Sequence, residues 1–243
     1  MKKLSFLILT VFILISSSCK KDEPNPNTGT EGSMSGMVKL YDESQTPLPK
    51  DGMIVSIYGS NPLISDTTDA TGKYHFDNVK YGTYSLIFTK PNYGIFILNN
   101  ISHQTEHTQI SIIPSLGQKS TTKVLSNTAK DSLGSVFISV STAPAATPDT
   151  AKYIRIFFNT NDMVSYEDFK SYTSVLISNS NPIEYRLNPH KLEDMGFTSG
   201  ETVWFKSYGD SYYSNFHIEP LKGKHIFPNL NLNSAAASSF IVP

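Results

Sequence analysis

Three groups of residues in this 243-residue chain have the side chains and the spacing to do chemistry. The segment HQTEH, His103 to His107, sets two imidazoles four positions apart with Glu106 beside the second. On a helix that spacing puts both rings on one face, where they can hold a zinc ion while the carboxylate works on metal-bound water. Asp66 and Asp69, in DTTDATG, offer the hard oxygen ligands that calcium takes. Cys19 is the only cysteine, so it cannot close an intrachain disulfide, and it follows closely on an oily run.

The elements around these residues decide which chemistry is open to them. HQTEH lies between IFILNNIS and TQISIIPSL, two strand-like runs with room for a tight connection only. On a strand, positions i and i+4 share a face but stand ~13 Å apart at ~3.3 Å rise per residue, too far for one zinc with bonds of ~2 Å. The order of residues resembles the H-x-x-E-H motif of inverted zinc peptidases, but without a helix it reads as a polar loop, and no metal is assigned. Both imidazoles are then expected at the surface, where replacement by alanine moves stability by no more than about 0.5 kcal/mol. Asp69 to Gly72 reads more simply as a turn than as a calcium site, with Asp opening it and Gly supplying positive φ. Glu167-Asp168 and Glu193-Asp194 are adjacent pairs, which point apart on a strand and suit solvated loops. No G-x-S-x-G elbow occurs. Lys39 and Lys90 show no pairing with an Asn that would support an isopeptide crosslink. No catalytic residue and no cofactor is assigned, and the chain is read as a non-enzyme.

Cys19 is explained by what precedes it. Lys2 and Lys3 are followed by Leu4 to Ile15, apolar apart from Ser5 and Thr10, and then by three serines. Positive start, apolar core and small residues make an export signal, and the run is shorter than the ~20 residues a spanning helix needs. The arrangement resembles a bacterial lipoprotein signal, although Ser16 stands where that family commonly has Leu. The resemblance implies cleavage before Cys19 and acylation there, palmitate included; an ordinary cleaved signal is the alternative. Asp22 and Glu23 resemble the surface-export signal of Bacteroidetes lipoproteins. Together these imply a protein held to the outer membrane through its N-terminal lipid and facing the cell exterior. Residues 19–32 are charged, Pro- and Gly-containing and almost free of apolar side chains, which reads as a tether.

The remaining chain favours sheets, since 12% of residues are aromatic and strand-like runs recur between Gly, Pro, Asn and Asp. The formal charge of −1, more negative still without Lys2 and Lys3, leaves no basic surplus for a nucleic-acid backbone, so no nucleic-acid partner is expected. In TTDATGKYHFDNVKYGTYSLIFTKPNYG, Tyr74 and Phe76 share one strand face, and Tyr84, Leu86 and Phe88 share another. With Val38, Val55, Ile57, Thr68, Gly72, Val79, Gly82 and Gly94, this pattern resembles the carboxypeptidase regulatory-like module, a transthyretin-like sandwich. That module is an accessory in carboxypeptidases, and the zinc enzyme itself is a different domain. Farther on, LEDMGFTSGETVWFKSYG resembles the approach to the penultimate strand of an immunoglobulin or fibronectin type III sandwich.

The expected fold is therefore all-β: two tandem β-sandwich domains, transthyretin-like over 33–117 and immunoglobulin/fibronectin-like over 118–243, after a signal at 1–18 and a tether at 19–32. The joint between Leu116 and Thr122 is expected to exchange its amide hydrogens readily. Short helical turns are expected at Ser165–Tyr172, capped by Ser165, and at Asn188–Gly196, with Pro189 at its first position. In TVWFKSYGD both alternating sets contain an aromatic, so both strand faces are expected to be partly covered. The expected function is that of a non-catalytic surface module binding a glycan, a protein or an outer-membrane transport partner. A surface-anchored hydrolase whose residues converge only in space is the alternative. Trp204, Tyr208, Tyr212 and Tyr213 form the densest aromatic group and the candidate ligand platform, set against a simple packing role.

Overall fold

A computed structural model describes residues 29–243. The expected export signal, Cys19 and most of the expected tether lie outside them. The first ten strands in chain order are β1 (Glu31–Met37), β2 (Lys39–Tyr41), β3 (Pro47–Leu48), β4 (Ile54–Ile57), β5 (Ser65–Thr67), β6 (Lys73–Lys80), β7 (Gly82–Thr89), β8 (Phe96–His103), β9 (His107–Gln109) and β10 (Ser115–Gly117). They form sheets of order β6-β1-β9, β10-β2-β3 and β5-β4-β7-β8. Among the described residues, regular structure begins at Glu31, whose Cα pairs with Lys80, two residues before the expected start of the first domain.

Period-two patterning builds this half. Tyr74, Phe76, Val79, Leu86 and Phe88 turn inward with Val38, Leu40, Val55 and Ile57 into one core. Gly36 sits opposite Tyr74 in the β1–β6 pair, and a Cβ there would strike the Tyr74 ring. The ring thus covers the backbone of a residue that must stay small. The DATG turn is held by Asp69, whose Oδ1 accepts from Thr71 N (2.8 Å), Thr71 Oγ1 (2.7 Å) and Lys73 N (3.0 Å). Gly72 completes it at φ +87. Asp66 accepts from Thr67 N and His75 N. Both carboxylates are engaged with their own backbone neighbourhood, as a turn requires.

The second set of elements is β11 (Lys123–Ser132), β12 (Ser135–Ala143), β13 (Lys152–Asn159), β14 (Ser171–Tyr172), β15 (Leu176–Ser178), β16 (Ile183–Leu187), α1 (Pro189–Asp194), β17 (Thr202–Gly209), β18 (His217–Ile218), β19 (His225–Ile226) and β20 (Ser238–Ile241). One sheet has the order β11-β12-β16, a second the order β14-β13-β17-β20 with β15 also on β13, and β18-β19 forms a small ribbon. Val136, Ile138 and Val140 of β12 face Ile154, Ile156 and Phe158 of β13 and Val203 and Phe205 of β17 across a core separate from the first.

KYIRIFFN is buried at all eight positions of β13. Ile154, Ile156 and Phe158 enter the inter-sheet core. Phe157, on the reverse face, joins Tyr208, Val164, Phe227 and Leu230 in a third cluster. Both faces of β17 are covered in the same way, as its two aromatic sets suggested. The cover comes from residues 160–172 and from the excursion at 210–232. Arg155 lies on this reverse face and is nearly fully buried. Its Nε meets Asp210 Oδ2 at 2.9 Å, Nη1 donates to Thr173 O at 2.8 Å, and the guanidinium stacks 5.0 Å from the Phe227 ring. Burial pushes the Asp210 carboxyl up to about 6, with Arg155 offsetting part of that cost.

Of the two expected helical turns, α1 forms: Asn188 Oδ1 caps Lys191 N at 2.8 Å, Pro189 opens the helix, and Gly196 leaves it at φ +84. Ser165–Tyr172 does not form a helix. Ser165 Oγ does accept from Asp168 N at 3.1 Å, but the Ser165 N–H closes the loop on the Asp168 carbonyl and the chain leaves as β14. Lys170 N then bonds Phe158 O, which draws the segment onto β13.

HQTEH is not the exposed loop expected. His103 ends β8 and is fully buried, whereas Glu106 and His107 are exposed. His103 Nε2–H donates to Val79 O at 3.0 Å, and Nδ1 accepts from Thr108 Oγ1 at 2.6 Å. These partners select the Nε2–H tautomer. His107 turns away to Ser33 Oγ at 2.9 Å. Residues 103–107 run from a strand through a turn into β9, so the two rings do not share a helical face. The surface position on which a near-neutral alanine replacement was expected does not hold for His103, whose buried imidazole closes the space between β6 and the β8–β9 turn.

Candidate functional site

The two halves meet at a junction that sequence patterning did not reveal, where the excursion after β17 reaches Gly94 and Gly117. Asn229 is fully buried. Its Oδ1 accepts from Gly94 N at 3.0 Å, and its Nδ2 donates to Gly117 O at 3.0 Å and Tyr213 O at 2.8 Å. Asn215, also buried, donates from Nδ2 to Gly94 O (3.1 Å) and Gly117 O (3.0 Å), and its Oδ1 accepts from Gly117 N at 2.9 Å. Asn215 adopts φ 53, a left-handed conformation that Asn tolerates better than most residues. A Cβ on Gly94 would strike Asn229 and Pro228, and one on Gly117 would strike Tyr213. Two glycines of the first half therefore admit two asparagines of the second, and the amides satisfy backbone groups that neither half pairs alone.

The connection 118–122 is part of this joint. Gln118 N, Lys119 N and Ser120 N bond to Tyr41 O, Asn92 O and Asn229 O respectively. Ser120 and Thr122 are buried. The expected labile linker is instead a packed segment with its amides engaged. Glu43 adds a second tie: its Oε2 accepts from Thr121 N at 2.6 Å, its Oε1 accepts from Thr121 Oγ1 at 2.9 Å, and its backbone carbonyl accepts from Tyr212 N at 2.9 Å. Lys152 Nζ, almost buried, stands 3.9 Å from Glu43 Oε1.

The four aromatic residues singled out as a platform divide into two places. Tyr212 and Tyr213 lie at the junction, half-buried. Tyr213 stacks on Tyr41 of the first half with centroids 4.2 Å apart, Tyr212 packs edge-on to Tyr213 at 4.9 Å, and Tyr153 packs edge-on to Tyr212 at 5.9 Å. Trp204 and Tyr208 sit instead on the reverse face of the β13–β17 sheet. Tyr208 is only 3% exposed, and burial pushes its phenol up to about 12. The four do not form one surface. Tyr41, which completes the junction stack, was missed because its partner is more than 170 positions away in sequence, with no local spacing to signal the contact.

Beside the tyrosines opens a cleft of about 450 Å³ lined by Ser44, Gln45, Thr46, Asp149, Thr150 and Asn179, with Tyr153 at its base. Loops from both halves contribute. The 42–46 turn is shaped by Asp42, whose Oδ1 accepts from Ser44 N (2.8 Å), Ser44 Oγ (2.7 Å) and Thr46 N (3.1 Å). Burial alone would raise the Asp42 carboxyl, but these hydrogen bonds outweigh it and hold the group below its ordinary range. On the other wall, Asn179 Nδ2 donates to Pro148 O at 2.8 Å and ties two loops together. Hydroxyls, two amides, one carboxylate and a phenol line the cleft, and no cationic side chain does. Such a lining can exchange several hydrogen bonds with a neutral polyhydroxylated ligand and opposes an anionic one.

Among the described residues, no group of three His, Cys, Asp or Glu side chains is placed to hold a metal ion, and no helix is long and apolar enough to cross a membrane.

No protein-family model and no curated protein sequence matches the chain. Solved structures of similar chain course include a candidate carbohydrate-binding protein from Bacteroides uniformis, 13% identical over 88% of this chain and 100% of that one, with a TM-score of 0.29. Two DUF3823 family proteins also match over 88% of this chain and 100% of theirs. One, from Bacteroides uniformis, is 12% identical at TM-score 0.31, and the other, from Bacteroides ovatus, is 9% identical at TM-score 0.30. These TM-scores are too low to establish a shared fold or to carry an activity across.

Proposed function

We propose that this chain is a non-catalytic binding module of the cell surface whose ligand is a neutral glycan seated in the junction cleft. The observation that carries the reading is the lining of that cleft: amides, hydroxyls and a single carboxylate over the buried Tyr153, drawn from both halves of the chain. Each of these amides and hydroxyls can exchange hydrogen bonds with a sugar hydroxyl, and none carries a charge that a neutral ligand would leave unpaired. Asp149 is the one carboxylate in the lining, whereas glycoside hydrolysis ordinarily uses a pair ~5–10 Å apart. The cleft therefore supports binding over cleavage.

Two finer points belong to the same proposal. The two halves are read as tandem β-sandwich domains, transthyretin-like and then immunoglobulin/fibronectin-like, on the strength of their separate cores. Export, acylation at Cys19 and display on the outer membrane rest on the order of residues 2–23, and mass spectrometry of the mature N-terminal peptide tests them: an unmodified thiol at Cys19 refutes the anchor.

The glycan assignment is tested by calorimetric titration with a panel of neutral oligosaccharides. Binding that weakens at least tenfold in Asp149→Ala, with the thermal transition unchanged, is the expected result. A panel without a binder, or binding indifferent to Asp149 and Gln45 substitutions, overturns it.

A further inference from the structure

A second cleft, of about 300 Å³, opens over the aromatic cluster on the reverse face of the β13–β17 sheet. Its floor is Phe227 and Leu230, both nearly buried, and Tyr166 forms a wall. The floor is rigid for a physical reason. Phe227 is held edge-on by Phe157 at 4.9 Å and by Tyr172 at 4.9 Å, and the Arg155 guanidinium covers it at 5.0 Å. Arg155 is itself fixed by Asp210 and Thr173, so its charge is already neutralised beneath the floor. Tyr166 is propped edge-on against Tyr208 at 5.7 Å.

The rim has the opposite character to the junction cleft. Lys119 and Lys224 stand on it with one carboxylate, Glu167, and with His225, whose Nδ1 lies 3.1 Å from the Tyr172 hydroxyl. Lys224 Nζ and Glu167 Oε1 are 3.9 Å apart with both side chains about half exposed, a contact of small worth that a ligand can displace. Among the described residues Lys119 has no carboxylate within ion-pair distance. Two ammonium groups over one carboxylate leave a positive mouth above an apolar, ring-sized floor.

We infer that this cleft is a second binding site, independent of the junction cleft, and that it takes a hexuronate residue of an acidic polysaccharide. The C–H face of the pyranose rests on Phe227 and Leu230 beside Tyr166, and its carboxylate meets Lys119 and Lys224. A neutral sugar would cover the same floor but leave Lys119 without an anionic partner and Lys224 with only its weak contact to Glu167, so charge sets the preference.

The experiment is a titration of the full mature chain with an oligogalacturonide and with the same oligosaccharide after reduction of its carboxylates to hydroxymethyl groups. The wild type is expected to bind the uronate at least tenfold more tightly than the reduced sugar, with affinity falling as salt rises. The double variant Lys119→Ala, Lys224→Ala should lose at least tenfold in uronate affinity while its thermal transition stays in place, since both side chains are at the surface. Asp149→Ala, in the other cleft, should bind the uronate as the wild type does. Three results overturn the assignment: no uronate binding, equal binding of the reduced sugar, or undiminished binding by the double variant. Loss of uronate binding in Asp149→Ala alone would place the ligand in the junction cleft and also refute a second site. Binding of benzoate in place of the uronate would show a general aromatic-acid pocket and refute the sugar.

Discussion

Replacing Asn229 by Leu, close in size and without hydrogen-bonding atoms, removes this residue's own side-chain bonds at the junction while leaving little empty space. Four hydrogen bonds disappear: those with Gly94 N, Gly117 O, Tyr213 O and Asn215 Nδ2. They are not equal losses. Gly117 O keeps its bond from Asn215 Nδ2, and Asn215 Nδ2 keeps two carbonyl partners. The groups left facing apolar atoms are the Gly94 N–H and the Tyr213 carbonyl. A buried group without a partner costs about 1–3 kcal/mol, so the two together should cost about 2–6 kcal/mol. Denaturant unfolding followed by tryptophan fluorescence reports the second half, which holds the only tryptophan, Trp204. Far-UV circular dichroism reports both. In the wild type the two probes should coincide, and in Asn229→Leu they should separate as the halves unfold apart. Hydrogen exchange should show the Gly94 amide, which loses its acceptor, losing protection before the core strands do. Coincident transitions with a loss below about 1 kcal/mol would refute the view that the asparagine pair holds the junction.

Further substitutions probe other parts of the fold. His103→Ala should cost about 2–4 kcal/mol in thermal or denaturant melts, because it orphans the Val79 carbonyl and opens a cavity in a closed space; His107→Ala should stay within about 0.5 kcal/mol. Gly209→Ala should destabilise by about 1–3 kcal/mol, since its Cβ would strike the Thr122 carbonyl oxygen and force the packed connection to shift. Asn188→Ala should cost about 1 kcal/mol by removing the cap of α1, again read from a melt.

Much of the fold was legible because its determinants are local. Alternation placed Tyr74, Phe76, Leu86 and Phe88 in one core, DATG made the turn its residues specify, and Asn188-Pro189 with Gly196 bounded a helix. What escaped has long-range causes. His103 looks polar and loop-borne in its own window, but the carbonyl that it satisfies is Val79 O, twenty-four positions upstream. Nothing in GKHIFPNLNL marks Asn229 as a buried junction residue, because asparagine is ordinarily a turn residue and its partners Gly94 and Gly117 look like turn glycines as well. Arg155 in KYIRIF reads as the solvent face of an alternating strand, and the cover contributed by residues 160–173 and 210–232 makes it a buried partner of Asp210. The aromatic platform failed as a single unit for a related reason. Residues on one strand, such as Trp204 and Tyr208, share a face by periodicity, but Tyr212 and Tyr213 follow Gly209, where β17 has ended and the chain has turned to the first half.

The junction and the proposed ligand site are physically one problem. The cleft walls come from the 42–46 turn of the first half and from residues 149–151 and 179 of the second, so its shape exists only while the halves keep one relative position. The contacts that fix that position are polar and directional: two buried asparagines, Glu43 with Thr121, and a tyrosine stack. A greasy interface would hold the halves together equally well but permit sliding, since apolar contact is non-directional. Buried hydrogen bonds tolerate no such slip, because each displaced donor or acceptor is left unpaired at a cost of about 1–3 kcal/mol. Glycines at 94 and 117 admit this arrangement by bringing backbone within reach of side-chain amides, at the cost of the apolar contacts that larger residues would make. The chain thus carries small residues and buried amides where a purely stabilising design would place Leu and Ile. That choice is explained if the position of the two loop walls, more than the total burial, is what the molecule must preserve.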